Sequence, residues 1–425
     1  MRNISGLCAG ILSLATAAAL SAAQPAFTSL YNFGNTPADG IRPGSAPALG
    51  AGGVLYGTTA GGGGPLNEGT VYSLTPPTSP GGSWTESVLY VFTGGVDGFA
   101  PVAGVIVGPD GVLYGTVANG GMSSVGAVYS LTPPESLGGS WTFALLYSFT
   151  GTDGDGVNPA FSLTLGSGGV LYGVTSAGGS TNDGTVYSLA PPEVPGGAWT
   201  YTLLYSFSGP DGQSPNSPVV IGAGGELYGV TMHGGNGSFS RCNNRHDFGC
   251  GLVYSLTPAG DGSWTEATLY EFLGSSDGQW PGDLIMDASG TLYGAMYGGV
   301  YALAPPLSPG GTWTGTKVQN FPGIADLAPL GLCMAPNGVI YGLTYETTNN
   351  GGGILFSLTP PAAPGGAWTK RTLWQFSPFN VPDGGTSPVG LILTTNGAGK
   401  VLLYGATSAG PNGMQDYGMV FSLKP

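Results

Sequence analysis

The chain has 425 residues, of which 81 are glycine, 35 are proline and only 8% carry a charge, yet 41% are hydrophobic. This apolar content argues against a disordered low-complexity chain and is typical of many short strands joined by glycine and proline turns. The net charge of −14 and the lack of a lysine/arginine stripe argue against a nucleic-acid partner, because an acidic surface repels phosphates.

Residues 1–23 differ in character from everything that follows. Arg2 gives a positive start, an apolar run extends from Ile11 to Leu20, and small residues at Ser21, Ala22 and Ala23 suit cleavage. The pattern predicts a secretory signal peptide over 1–23, followed by a single domain over 24–425. Because the apolar run is too short for a membrane span and no later stretch is long enough, we expect a secreted protein, extracellular or periplasmic, in which disulfides form.

From residue 24 onward three phrases recur in a fixed order. The first is Leu/Ile-Tyr-Gly, the second is an aromatic residue followed two places later by Leu, and the third runs from Trp-Thr to an aromatic-x-Phe. Each phrase occurs seven times, counting an N-terminal copy of the third that lacks the Trp and a remnant that ends at Phe321. An apolar segment precedes each Leu-Tyr-Gly. Each unit therefore predicts four strands of about five to eight residues, in the order apolar segment, first, second and third phrase.

The phase of the repeat relative to the two chain ends predicts a closed ring. The chain begins with a lone fourth strand, Phe27 to Phe33, and ends with the first three strands of a unit, between Pro388 and Leu423. A linear array would leave both fragments as unpaired edges, whereas a ring lets the N-terminal strand complete the last sheet. The predicted fold is all-β: a seven-bladed β-propeller of four-stranded antiparallel blades, closed in this way.

The amino-acid sequences of the repeats also resemble those of a known family. The pattern Leu-Tyr-Gly-x-Thr-x-x-Gly-Gly, Gly-Thr-Val-Tyr-Ser-Leu, Leu-Tyr-x-Phe and Asp-Gly resembles the bacterial extracellular tandem repeats called GloVer repeats, found in "choice-of-anchor" proteins. The double glycine and the Trp-Thr are similar to a diffuse kelch pattern. The resemblance covers essentially all of the chain after residue 23. It implies an exported repeat protein of unassigned activity, often with a C-terminal anchor, although no sorting tail follows Leu423 in this sequence.

One face of such a propeller carries the loops from each fourth strand to the next first strand and from each second to each third strand; we call it the upper face. A ring of Asp-Gly pairs there could hold Ca²⁺ or a cationic ligand, since hard cations take oxygen ligands. Alternatively each pair forms a tight turn in which the carboxylate bonds local backbone amides, and repetition in nearly every blade favours the turn. We expect no required cofactor, with Ca²⁺ as the alternative. The aspartates are Asp39, Asp97, Asp153, Asp211, Asp277 and Asp383.

Unit four breaks the repeat with an insertion at 232–252 in its second-to-third loop. In an exported protein, Cys242 and Cys250 favour a disulfide that staples this insertion, and a zinc site built from cysteines and histidines is the alternative. We predict ligand contacts from this loop and from Trp280, the one tryptophan outside a fourth strand. The candidate side chains in the loop are His233, Arg241, Arg245 and His246.

These features favour a non-catalytic binding or scaffold module at the cell surface. Its ligand would be a glycan or an extracellular protein, and we expect the protein itself to be a monomer. The sequence contains no Gly-x-Ser-x-Gly nucleophile elbow and no phosphate-binding loop motif. The alternative is a carbohydrate-active hydrolase or lyase that uses paired aspartates from different blades on the upper face.

Overall fold

Seven antiparallel four-stranded sheets, placed in chain order around a central channel, make up the fold. The computed structural model describes residues 25–425 except 37, 137, 153, 195, 236–241, 243–248, 275–276, 309, 322–328, 345–351, 364, 377–385, 397 and 410–416. The prediction of an all-β, seven-bladed propeller is confirmed. Among the described residues, no helix has the length and apolar character needed to cross a membrane.

The N-terminal strand closes the ring, as predicted. Ala26–Asn32 pairs antiparallel with Met419–Lys424, with Phe27 opposite Leu423. The Phe27 ring also stacks on Trp374 of the preceding blade, with centroids 4.3 Å apart. We number the blades from 1, which begins at Gly40, to 7, which Ala26–Asn32 completes.

The strands within each blade are named first to fourth from the channel outward. The second strands are Leu55–Gly62, Leu113–Val117, Leu171–Thr175, Leu227–His233, Leu292–Met296, Ile340–Leu343 and Val401–Ala409. The third strands are Thr70–Thr75, Ala127–Thr132, Thr185–Ala190, Leu252–Pro258, Gly299–Ala304, Ile354–Thr359 and Met419–Lys424. The fourth strands are Thr85–Val91, Thr142–Ser148, Thr200–Ser206, Trp264–Glu271, Thr314–Asn320, Thr369–Gln375 and Ala26–Asn32.

The first strands are shorter than the predicted five to eight residues in most blades. Their bounds are Ala48–Leu49, Ile106–Val107, Thr164–Leu165, Val220–Ile221, Leu284–Met286, Leu330–Met334 and Thr386–Thr395. Shorter pieces on the upper side are Gly40–Pro43, Gly156–Val157, Ala177–Gly178 and Gln213–Pro215, and three 3₁₀ turns span Ala51–Gly53, Pro109–Gly111 and Ser167–Gly169.

Hydrogen bonds between blades explain the short first strands. The Thr58 hydroxyl of blade 1 donates to the Ala103 carbonyl of blade 2 at 2.9 Å, and the Thr116 hydroxyl donates to the Phe161 carbonyl at 3.1 Å. Near the axis, some backbone carbonyls thus accept hydrogen bonds from the neighbouring blade instead of from the adjacent strand of their own sheet. The sequence pattern marks the apolar segment but does not reveal this exchange of partners.

Aromatic residues of the repeated phrases join each blade to the next. Phe92 at the end of blade 1 packs edge-to-face on Tyr129 of blade 2, with centroids 5.4 Å apart. Tyr72, the equivalent of Tyr129 in blade 1, is fully buried, and a Cβ on Gly57 would lie 2.4 Å from its hydroxyl oxygen. The glycine of Leu-Tyr-Gly is therefore required by the tyrosine of the adjacent third strand. The repeated phrases build the wall of the ring.

Candidate functional site

A central channel of about 710 Å³ runs between the first strands of all seven blades. One residue of each blade lines the channel at the same place in the repeat. The Tyr of the second strand pairs with a first-strand residue, and the channel-lining residue lies two positions before that partner. The channel-lining residues are Ala46, Gly104, Ser162, Pro218, Asp283, Gly331 and Gly390. Six of these are small and uncharged, so blade 5 alone places a charge there.

Asp283 links the first strands of blades 5 and 6. Its carboxylate accepts a hydrogen bond from the backbone N–H of Gly331. Burial raises the pKa of Asp283, and hydrogen bonds from the backbone of Gly331 and Leu332 oppose that rise. Among the described residues no second carboxylate lines the channel. A mechanism that needs paired carboxylates therefore has one member here and lacks the other.

The predicted aspartates of the upper face are held in turns. Asp97 accepts hydrogen bonds from the Tyr90 hydroxyl at 2.9 Å and from the Thr93 backbone N–H at 2.9 Å. The same pair of contacts recurs at Asp39 with Tyr31 and Asn35, at Asp211 with Tyr205 and Ser208, and at Asp277 with Tyr270 and Leu273. These contacts favour the structural interpretation of the Asp-Gly pairs, because the carboxylates already bind local donors.

In blade 3 the aspartate with these contacts is Asp155. It accepts from the Tyr147 hydroxyl at 3.1 Å and from the Thr150 N–H at 2.7 Å. The predicted Asp153 lies outside the described residues, as does Asp383. A sequence signal distinguishes the two candidates: Asp155 begins Asp-Gly-x-x-Pro, the spacing that Asp39, Asp97, Asp211 and Asp277 share, whereas Asp153 does not.

The residue before the proline of this motif, together with Ser387 before Pro388 in blade 7, where the spacing is one residue longer, forms a ring around the upper mouth of the channel. Each has a left-handed backbone, with φ between 49° and 61°, a conformation that costs a residue other than glycine about 1–3 kcal/mol. The following prolines are buried, so the turn is held by packing. We call these six the rim residues: Arg42, Ala100, Asn158, Ser214, Trp280 and Ser387.

Backbone hydrogen bonds clamp the rim residues to the preceding blade. The Asn158 N–H donates to the Val125 carbonyl at 2.9 Å, and the Trp280 N–H donates to the Cys250 carbonyl at 2.8 Å. Arg42, Ala100 and Ser214 make the same contact with second-to-third loops. All six side chains are at least partly exposed. The rim residues thus share one backbone conformation, while their side chains differ: a guanidinium, an amide, hydroxyls, a methyl group and an indole. Of this ring, Trp280 alone was predicted from the sequence.

Trp280 lies beside the base of the blade 4 insertion. Its indole packs edge-to-face on Tyr297, with centroids 5.4 Å apart, and its Nε1 is buried without a hydrogen-bond partner among the described residues. Cys242 and Cys250 form a disulfide and are 1% and 2% exposed. The disulfide therefore anchors the insertion next to the rim.

The remaining predicted side chains of the insertion divide into two groups. His233 ends the second strand of blade 4, pairs with Gln213 and accepts a hydrogen bond at its carbonyl from the Thr231 hydroxyl. Arg241, Arg245 and His246 lie outside the described residues. A disulfide leaves no thiolate for zinc, and the described part of the chain contains no cluster of three or more His, Cys, Asp or Glu side chains that could hold a metal.

Comparison with known families decides the relationship. The sequence model of the Gloeobacter/Verrucomicrobia repeat matches residues 14–187 and 159–362. The chain belongs to this family. The resemblance to GloVer repeats is thereby confirmed, whereas the kelch-like pattern stays a prediction. None of the curated protein sequences compared with the chain is significantly similar to it.

Solved structures share the propeller architecture at low sequence identity. An ulvan lyase, a polysaccharide lyase, superposes with a TM-score of 0.54 and 12% identity, covering 92% of this chain and 94% of that one. A catalytically inactive virginiamycin B lyase from Staphylococcus aureus gives 0.52 and 11%, covering 95% and 100%. PorZ, a surface component of the type-IX secretion system of Porphyromonas gingivalis, gives 0.52 and 16%, covering 88% and 46%. At these identities the similarity shows the fold alone.

Proposed function

We propose that this repeat protein is an exported, non-catalytic binding module that recognises a glycan at the rim of the channel on the upper face. The observation that carries the proposal is the ring of rim residues, in which one strained backbone conformation presents different side chains. A conformation that is costly and yet repeated needs a reason, and binding surfaces carried on a rigid scaffold supply one. Export rests on the signal sequence predicted at 1–23.

The chemistry of the rim suits a sugar chain. The partly exposed indole of Trp280 offers a flat apolar face for the C–H face of a sugar ring, while Asn158 and Ser214 offer hydrogen-bonding groups for hydroxyls. Arg42 is exposed and adds a positive charge, which favours a glycan that carries a carboxylate or a sulfate. Two of the similar solved structures are described as lyases, one of a polysaccharide, which is compatible with a carbohydrate ligand.

A glycan array tests this proposal. The wild-type protein should bind a set of acidic or neutral glycans, and a variant with Arg42→Ala, Asn158→Ala and Trp280→Ala should lose those signals. Leu307→Ala is the matched control, because Leu307 is 108% exposed in the third-to-fourth loop of blade 5, on the opposite face. Equal array signals from the triple variant and the wild type would overturn the placement of the site. Capture of a protein, with no glycan bound, would favour the protein ligand instead.

A carbohydrate-active hydrolase or lyase is the second candidate, and Asp283 is the observation that favours it. A carboxyl group whose pKa is raised by burial is a candidate for proton transfer. The substrate would have to enter the channel from the rim. Turnover of a polysaccharide by the wild type, lost in Asp283→Asn, would establish this activity. The absence of turnover on every substrate that the array identifies would reject it.

A further inference from the structure

One position in each fourth strand faces the neighbouring blade, and we call it the wedge position. It pairs with the Leu of the aromatic-x-Leu phrase in the third strand. Tyr201, for example, pairs with Leu189, and Gly315 pairs with Leu303. Because the register is the same in every blade, the seven side chains occupy equivalent places between blades. The occupants are Phe27, Glu86, Phe143, Tyr201, Glu266, Gly315 and Lys370.

Three wedge positions hold aromatic rings that stack on the preceding blade. Tyr201 stacks on Tyr147 with centroids 4.3 Å apart and planes 9° apart. Phe143 stacks on Tyr90 at 4.6 Å, and Phe27 stacks on Trp374 at 4.3 Å. An aromatic ring is therefore the commonest filling of this space, present at three of the seven junctions. The phenol of Tyr201 also lies near Asp155: burial raises its pKa, and the charges of Tyr147 and then of Asp155 raise it further.

Gly315 leaves the equivalent space open between blades 4 and 5. A pocket of about 170 Å³ is present there, walled by the rings of Tyr270, Phe272 and Tyr301 and bounded by Asp277 and Lys317. An apolar protein cavity of about 150 Å³ is large enough to bind benzene. The pocket is thus the size of one six-membered aromatic ring, which is also what the aromatic wedge residues supply elsewhere.

The surrounding groups show the effect of the missing ring. The Tyr270 hydroxyl lies 3.5 Å from Asp277 Oδ2, whereas the equivalent distance is 2.9 Å for Tyr90 and Asp97. A Cβ on Gly315 would lie 2.6 Å from Tyr270 Cε2, so the Tyr270 ring leans toward the open space. Asp277 Oδ1, like Asp39 Oδ1, is buried and has no hydrogen-bond partner among the described residues, but only Asp277 borders an open pocket of this kind among the pockets described. A buried acceptor without a donor is destabilising, so a ligand that donates to it gains affinity.

We propose that this pocket binds a free monocyclic phenol, with its ring against Tyr270 and its hydroxyl donated to Asp277 Oδ1. Tyr201 is the internal template for the stacking, since its side chain is a phenol that stacks on the equivalent tyrosine, Tyr147. The pocket lies on the flank between two blades and uses none of the rim residues. The proposal therefore stands independently of glycan binding on the upper face.

Calorimetric titration with p-cresol, which has the atoms of a tyrosine side chain, tests the proposal. We expect saturable binding with one site per chain and at least tenfold weaker binding of toluene, because toluene lacks the donor for Asp277. Gly315→Tyr should push the Tyr270 ring aside, fill the pocket and abolish binding. Asp277→Asn should shrink the preference for p-cresol over toluene, while Leu307→Ala should change neither.

A second variant checks the template directly. Tyr201→Gly should open a similar space between blades 2 and 3 and give a second, weaker p-cresol site, because Asp155 Oδ1 already accepts a hydrogen bond from the Gly151 N–H. If this variant does not fold, Gly315→Tyr and Asp277→Asn decide the matter. Wild-type protein that shows no saturable binding of p-cresol overturns the proposal. Undiminished binding by Gly315→Tyr overturns the location.

Discussion

The junction between blades 2 and 3 and the junction between blades 4 and 5 are built on the same frame and filled differently. In the first, Tyr201 stacks on Tyr147, and the rim residue Asn158 donates its side-chain N–H to the Ser176 hydroxyl at 2.7 Å. In the second, Gly315 leaves a pocket and the rim residue is Trp280. The regular junction is filled by stacked rings, while the irregular one leaves unfilled space, which is a feature of functional sites.

The largest expected effect comes from opening the regular junction. Tyr201→Gly removes a stacked ring from a packed interface, so we expect the free energy of unfolding to fall by about 3–5 kcal/mol, as for large-to-small changes at buried aromatic sites. Tyr201→Phe keeps the ring and should fall by about 1 kcal/mol or less. Chemical denaturation measures both. Equal losses for the two variants would contradict the stacking role.

The irregular junction can be loosened through its disulfide. Changing Cys242 and Cys250 to serine removes the staple of the insertion, for which the chain-entropy model predicts a loss of about 2–3 kcal/mol for a short loop. The backbone N–H of Trp280 donates a hydrogen bond to the Cys250 carbonyl, so loss of the disulfide should also weaken ligand binding at the rim. A variant as stable as the wild type would show that the insertion is held by other contacts.

Two junctions carry a carboxyl group at the wedge position, and they should respond to pH. Burial raises the pKa of Glu86 and of Glu266 from 4.5 to about 7. The folded state then binds more protons than the unfolded state between about pH 4.5 and 7, so stability decreases as pH rises through that window. Both side chains are half-exposed, and solvent screening limits the effect to roughly 1 kcal/mol each. Glu86→Gln with Glu266→Gln should flatten the profile, and an unchanged slope would contradict this cause.

The smallest expected effect concerns the backbone that all rim residues share. Ala100 has φ of 49°, a region that glycine adopts without strain, so Ala100→Gly should stabilise the protein by about 0.5–1 kcal/mol. Ala144→Gly on an exposed strand position is the matched control and should destabilise by a similar amount. Thermal unfolding of the two variants in opposite directions would support the strain; a loss in both would argue against it.

The sequence was sufficient to predict the ring but not its mouth. The lone N-terminal strand at Phe27 and the three-strand end at Leu423 determine the phase, and the phase determines seven closed blades. The short first strands could not be predicted from the sequence. The carbonyls of Ala103 and Phe161 accept hydrogen bonds from the hydroxyls of Thr58 and Thr116 in the preceding blade, instead of from a strand of their own sheet. The rim was missed except for Trp280, although the spacing Asp-Gly-x-x-Pro marks it, since side chains as different as Arg42 and Ala100 share only a backbone angle.

Binding at the rim by Trp280→Ala tests the central claim most directly. Ala100 holds the same backbone conformation in blade 2, so alanine is compatible with the fold at residue 280. For a glycan selected on the array, calorimetry should show affinity at least about tenfold weaker for Trp280→Ala, as for a buried aromatic contact, and unchanged affinity for Leu307→Ala on the opposite face. Equal affinities for Trp280→Ala and the wild type would contradict the account.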